Sequence, residues 1–269
     1  MTTTTHDSLE TMAAPCPEGL RHLITACADT KLLLGYHYGE WTFGTPELEA
    51  AVASCSLSQA ELGHVRLLHA ILKKHWDADP DALVETREPA AFANLAFLDR
   101  PLEDWSDFVA MNAVVDLAVT RLLHSMRGCA FVPLQINTEK MLDEERYHAH
   151  HGRGWFRTMV ARPDGADRLG AATERALAAA ALWFGPDGDA EDEALVAGGF
   201  KDATNPALFD ALVGDVGGMA EAAGLRLPQR ARPDFSGWNP ATRRRPGTAP
   251  DDEILYHLRG TRNAIFKLN

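Results

Sequence analysis

The sequence offers little from which a disulfide framework, a β-sheet or a nucleotide-binding loop could be built. Its 269 residues contain four cysteines, Cys16, Cys27, Cys55 and Cys129, and none forms a Cys-x-x-Cys pair. Thiols scattered in this way suit buried, reduced side chains better than a disulfide scaffold or a zinc knuckle. No stretch alternates apolar and polar residues with the two-residue period of a strand, and no short repeat recurs. A glycine-rich phosphate loop and a Ser/His/Asp order are both missing, so neither a nucleotide enzyme nor a hydrolase is supported. Basic charge is also short. The formal net charge is −12, which a nucleic-acid backbone would repel, and Arg243-Arg244-Arg245 is too brief a cluster to reverse that. The opening Met1-Thr2-Thr3-Thr4-Thr5 lacks the order of a secretory signal, and no run of about 18 apolar residues appears. The expectation is a cytoplasmic protein with no membrane span.

Helical periodicity is what the chain does contain. Hydrophobic residues make up 46% of it, an ordinary share for a globular protein long enough to bury a core. Residues 1–17 read as a polar, disordered arm. From Gly19 to Tyr38 apolar residues return at helical spacing (Leu23, Ile24, Cys27, Leu34), and Gly39–Pro46 breaks the pattern. Thr45 is the expected cap of a second helix, with Pro46 in its first turn and Glu47 and Glu49 near its positive end, running to Trp76. A third helix is predicted over Trp105–Arg127, ended by Gly128, and a fourth over Pro133–Met159. A loop rich in Asp, Pro and Glu separates the second and third, and four long helices with intervening breaks predict an all-α bundle. Beyond the turn at Arg162–Gly165 the pattern gives an alanine-rich helix, Ala171–Trp183, and a weaker one, Asn205–Ala223. The bundle and these helices are expected to form one domain over 18–227. Residues 228–269 read as an extended tail, with a short helical end from Asp251 to Phe266. Such a tail wraps a partner, wraps its own domain or is mobile.

Two Glu-x-x-His pairs, Glu61/His64 and Glu145/His148, fall on the second and fourth helices. Residues three apart share a helix face, so each pair can aim a carboxylate and an imidazole at one point. Ferritin-like di-iron and di-manganese proteins draw such pairs from two helices and one further carboxylate from each of the other two. The chemistry needs that mixture: carboxylates neutralise and bridge hard cations, while imidazoles complete the coordination and leave positions open for oxygen. The third helix supplies Asp116 amid Val114, Val115, Leu117, Ala118 and Val119, where a charge needs a partner or a metal. The expected metal ligands are therefore Glu61, His64, Asp116, Glu145 and His148. The first helix departs from the pattern. At the matching depth it offers Lys31 in place of a glutamate. Asp29 points about 160° away on a helical wheel, and Glu40 lies at the helix end. His69, His75, His150 and His151 read as surface histidines. Tyr36, Tyr38 and Tyr147 are candidates for electron relay or hydrogen bonding near the cluster, although core aromatics more often simply pack, and Trp41, Trp155 and Trp183 are weighed in the same way.

Gly39-Glu40-Trp41, Pro46-Glu47-Leu48-Glu49, Glu61-Leu62-Gly63-His64, and Glu144-Glu145-Arg146-Tyr147-His148 followed by Arg153-Gly154-Trp155 resemble the phenylacetyl-CoA epoxidase subunits. The likeness covers residues 20 to 160. That family contains a catalytic subunit with a non-haem di-iron centre and a related structural subunit that has lost the metal. Around Gly39-Glu40-Trp41 and Arg146-Tyr147-His148 the wording is nearer the structural subunit; the potential ligands are nearer the catalytic one, whose first-helix glutamate falls on Lys31. The resemblance implies an iron oxygenase or oxygenase subunit holding one or two Fe (Mn is an alternative). It would activate O2 for epoxidation or hydroxylation of an aromatic or acyl-CoA-like small molecule, with electrons from an external reductase. A homo- or hetero-oligomer with a homologous subunit is expected. The alternative implied is a non-catalytic structural subunit in which Lys31 replaces a metal. The Lys31 amine can fill one cation position between Glu61 and Glu145, lose its proton beside a metal, or swing outward; the first is favoured, because buried carboxylates need compensation.

Overall fold

Helix positions follow from where the apolar period can be buried. The computed structural model describes residues 17–227 and 233–266, so nearly all of the expected N-terminal arm and residues 228–232 lie outside the described residues. Four long helices make the bundle: α1 (Glu18–Glu40), α2 (Leu48–Trp76), α3 (Trp105–Ser125) and α4 (Val132–Val160). They are followed by α5 (Gly165–Phe184), α6 (Ala190–Ala197), α7 (Asn205–Ala223) and α8 (Asp252–Leu258). Among the described residues there is no strand beyond one isolated bridge, Asn239 with Arg244. The architecture is the all-α, ferritin-like bundle that the periodicity predicts.

α1 runs through the middle of the molecule, and every residue from Ala26 to Gly35 is buried. This explains why polar Asp29, Thr30 and Lys31 sit among its leucines: each meets a partner from another element. Asp29 takes a two-pronged salt bridge from Arg87, at 2.5 and 3.0 Å, and accepts from the Ala93 amide at 2.8 Å. α1 and α2 pack closely because Gly35 carries no side chain; a Cβ there would lie 3.1 Å from Leu62. Ser58 and Ser54 tie the same interface by donating to the carbonyls of Gly35 and Tyr38 at 2.7 and 2.6 Å. Gly152 does the equivalent for α4, since its missing Cβ would fall 3.0 Å from Asn112 Oδ1.

Several boundaries differ from the sequence pattern. α2 begins at Leu48, with Glu47 at the N-cap, while Thr45 donates to the Glu47 carbonyl at 3.1 Å. Pro46 thus precedes the helix instead of opening it. α3 is capped by Asp104, which accepts from the Ser106 and Asp107 amides. Its middle, Met111–Asp116, is wound as a π-helical turn, a device that places an extra residue in the helix and re-aims side chains. α3 is also long and apolar enough, by length and composition, to cross a membrane, but most of it is buried in the bundle. Sequence reading missed α6, an eight-residue helix whose period is too short to register. Its Asp192 pairs with Lys201 and accepts from the Asn205 amide at 2.8 Å, fixing the start of α7.

The described part of the tail wraps its own domain. Arg244 is buried and reaches five acceptors: both carboxylate oxygens of Asp99 at 2.6 and 2.7 Å, Asn94 Oδ1 at 2.6 Å, and the carbonyls of Phe92 and Asn94. Arg243 lies over the Trp183 ring, 5.0 Å from its centroid. Two of the three arginines of the basic cluster are therefore internal cement, while Arg245 stays exposed and pairs with Asp234 at 3.0 Å. Truncating one member of a buried, hydrogen-bonded ion pair costs about 3–5 kcal/mol. Arg244→Ala is expected to lower unfolding stability by that amount in a urea titration, and an unchanged midpoint would show that the tail is not docked in solution.

Candidate metal centre

The interior of the bundle holds a polar cluster to which all four long helices contribute. α1 supplies Lys31 and Tyr38, α2 Glu61 and His64, α3 Asn112, Asp116 and Thr120, and α4 Glu145 and His148. Lys31 and Glu61 are 0% exposed, and His148, the most exposed of the expected ligands, is 3%. One donor atom from each of Glu61, Asp116, Glu145 and His148 lies within 4.8 Å of the others. His64 sits beside this group, its Nδ1 3.4 Å from Glu145 Oε1 and 3.8 Å from Glu61 Oε2. Its Nε2 is 3.0 Å from Glu144 Oε2 at the edge of the bundle. The five expected side chains are thus together, with His64 the outlying member.

Lys31 is at the centre. Its Nζ donates to Glu61 Oε2 at 2.9 Å and to Glu145 Oε1 at 2.6 Å. The amine fills a position between two carboxylates, and it does not swing outward. Burial alone would lower its pKa, but the charges of Glu145 and Glu61 outweigh that and raise it well above its ordinary value. Burial would raise Glu61, yet the Lys31 ammonium holds it down to about 2. Glu145 is likewise kept well below the usual carboxylate range, against its burial, by Lys31 and His148. Asp116 has no such partner among the lysines; burial and the Glu145 charge push it up to about 7. His148 Nδ1 lies 2.9 Å from Asp116 Oδ2. Burial disfavours a charged imidazole there, but Asp116 and Glu145 carry it up to about 11.

Side chains around the cluster hold these groups in place. The Tyr38 hydroxyl donates to Asp116 Oδ2 at 2.7 Å, and Asn112 Nδ2 donates to Tyr38 Oη at 2.8 Å. Thr120 donates to Glu145 Oε2 at 2.8 Å. Asn112, Asp116 and Thr120 are spaced four apart on α3. That ladder is the signal by which Asn112 and Thr120, overlooked in the sequence, could have been found. Tyr36 instead meets Glu40 at the surface and Tyr147 is exposed, so Tyr38 alone of the three tyrosines touches the cluster. Two histidines read as surface residues lie inside. His151 is partly buried and pairs with Asn112 Oδ1 at 2.8 Å, and His69 is buried because its face of α2 turns towards the core.

Three buried atoms of the cluster remain without a hydrogen-bond partner: Glu61 Oε1, Asp116 Oδ1 and His64 Nδ1. His148 Nδ1 lies 3.3 Å from Glu61 Oε1 and closer, 2.9 Å, to Asp116 Oδ2. Orphaned atoms of this kind cost free energy unless something completes them. Three carboxylates and two imidazoles are a suitable donor set for one first-row divalent cation. A second cation would have to displace the Lys31 ammonium from Glu61 and Glu145. The arrangement could therefore hold one metal ion, and is already compensated where a second would sit.

Paired Glu-x-x-His motifs on two helices, with an acid from a third, make this a ferritin-like protein of the carboxylate-bundle kind. The chain belongs to the phenylacetic acid catabolic protein family, whose model matches residues 2–239. It is similar to one of the subunits of the 1,2-phenylacetyl-CoA epoxidase of Escherichia coli (strain K12), at 29% identity over 129 residues, or 48% of this chain and 52% of that relative. The chain thus matches about half the length of this curated relative.

The cluster also sets a pH dependence. His148 is raised from 6.5 to about 11 on folding. A raised imidazole stabilises the fold fully below its unfolded value, and that contribution is lost as pH climbs through the folded one. Unfolding stability is expected to fall between about pH 6.5 and about pH 11, and to fall less steeply in His148→Gln. Equal slopes for both proteins in urea titrations across that range would contradict the assignment.

Proposed function

We propose that this chain is the structural subunit of an oxygenase assembly of the phenylacetyl-CoA epoxidase kind, working beside a catalytic homologue. One observation carries the reading: the fully buried Lys31 ammonium, within 2.9 Å of Glu61 and 2.6 Å of Glu145. An ammonium bound there neutralises the two carboxylates that would otherwise bridge a pair of metal ions. Removing it would leave uncompensated charge in a medium where that costs several kcal/mol. Family membership supports the setting, and the similar relative is itself named as one subunit of an epoxidase. Fold kinship alone does not fix function, so the weight rests on Lys31. The assembly would be cytoplasmic, and its substrate an aromatic or acyl-CoA-like small molecule handled at the partner's centre.

A second reading, a working iron oxygenase, is favoured by the unpaired Glu61 Oε1 and Asp116 Oδ1. In it Glu61, Asp116, Glu145 and His148, with His64 beside them, would hold iron or manganese. The bound metal would supply dioxygen activation for epoxidation or hydroxylation, fed with electrons by an external reductase. Tyr38 and Thr120 would orient Asp116 and Glu145 through the hydrogen bonds described. A cavity of about 660 Å³ reaches Glu145 between α3, α4 and α7, lined by Leu117, Leu142 and Met219 among others, and is roomy enough for an aromatic group. His148 would surrender its Nδ1 proton on ligation, which makes metal uptake weaker at low pH.

Metal content separates the two. Protein produced with iron and manganese supplied is compared with Lys31→Glu made in the same way. The structural reading expects far less than one metal per chain in the wild type and uptake in the variant. One metal or more per chain in the wild type would overturn it in favour of the oxygenase.

A further inference from the structure

An unbroken file of aromatic rings leads from the buried cluster towards the surface. Tyr38, whose hydroxyl donates to Asp116, meets Phe108 edge-on at 5.6 Å between ring centroids. Phe108 stacks on Trp105 at 4.3 Å, with the two planes 11° apart. Trp105 then meets Trp155 at 5.0 Å and Trp41 at 5.9 Å. Tyr38 and Phe108 are fully buried, whereas Trp41, Trp105 and Trp155 are half-buried. The chain has six tryptophans and four tyrosines, and the file joins three of those indoles to the one tyrosine that touches the cluster.

Packing alone accounts for the rings but not for the indole of Trp105. Its Nε1 is buried and has no hydrogen-bond partner, although buried indoles usually find an acceptor. A phenylalanine would stack on Phe108 without that cost. What the indole adds is ease of one-electron oxidation. An indole radical cation with no acceptor beside it keeps its proton, and so remains able to take an electron from the next oxidisable ring. Tyr38 is placed to give one. A phenol is readily oxidised only as its proton leaves, and Asp116 Oδ2 stands 2.7 Å away to accept it. We propose that Tyr38, Trp105, Trp41 and Trp155 pass single electrons between the buried cluster and a one-electron acceptor at the surface. An outer-sphere metal-complex oxidant takes an electron from Trp155 or Trp41 and is reduced by one. The hole moves to Trp105 and, across Phe108, to Tyr38, whose hydroxyl proton passes to Asp116 as its electron leaves. The path consists of this chain's own rings and does not depend on a metal in the cluster, so its failure would leave the structural reading intact.

The test uses the full chain carrying Tyr36→Phe, Tyr147→Phe and Tyr256→Phe, which leaves Tyr38 its only tyrosine. The oxidant is tris(bipyridine)ruthenium, photo-oxidised with a cobalt(III) amine as sacrificial acceptor. Radicals are followed by transient absorption and by freeze-quenched electron paramagnetic resonance, at equal metal content in every variant. A tryptophan radical is expected first, and a Tyr38 radical grows as it decays. Trp41→Phe/Trp105→Phe removes both indoles that touch Phe108 and should slow that growth about tenfold. Tyr38→Phe keeps every tryptophan and should instead prolong the tryptophan radical, which carries the test even if the double variant does not fold. The absence of a Tyr38 radical would overturn the proposal. So would equally fast growth in Trp41→Phe/Trp105→Phe, or a tryptophan radical just as short-lived in Tyr38→Phe.

Discussion

A single ammonium group between two carboxylates governs the interior of this protein. Three acids, Glu61, Asp116 and Glu145, converge in the buried interior of the bundle, and their charges would drive the helices apart without a cation. Lys31 supplies one from α1, whose middle, Ala26–Gly35, is buried throughout. Its contacts to Glu61 on α2 and Glu145 on α4 bind three helices at one level. His148 adds a second positive group against Asp116, so α3 is joined as well. The bundle is thus tied through its middle by ionic and hydrogen-bonded contacts as well as by its leucines.

The same contact shapes the chemistry open to the site. An amine fixed at 2.6 and 2.9 Å from its carboxylates takes the place where metals would be bridged. The atoms left over, Glu61 Oε1 and Asp116 Oδ1, have no hydrogen-bond partner. The cluster is therefore divided into a compensated half and an incomplete half. A structural subunit needs only the first. An oxygenase needs the second to be filled.

Much of this was legible from residue spacing. The two Glu-x-x-His pairs are local patterns, so three residues of separation sufficed to put each on one face. Asp116 stood out because a charge within Val114–Val119 has no other comfortable place. Lys31 was readable for the same reason. The π-helical turn at Met111–Asp116 was not, because it depends on packing of α3 against its neighbours and no residue type marks it. Nor was the docking of Arg244, whose partners Asp99 and Asn94 are some 145–150 residues away in sequence. Trp183 and Phe92 fix the path of the tail in the same non-local way. Thr45 and Pro46 suggested a helix start that Glu47 takes instead, a shift of the kind expected at helix ends.

The charge state of the Lys31 amine is the direct test. In a protein labelled with nitrogen-15 at its lysines, a Lys31→Met variant identifies the Nζ resonance by its disappearance. If the ammonium is the internal cation, that resonance keeps an ammonium shift with slowly exchanging protons, and it stays unchanged when ferrous iron is added. A neutral-amine shift at neutral pH, or a resonance that moves or vanishes on stoichiometric iron binding, would contradict the account.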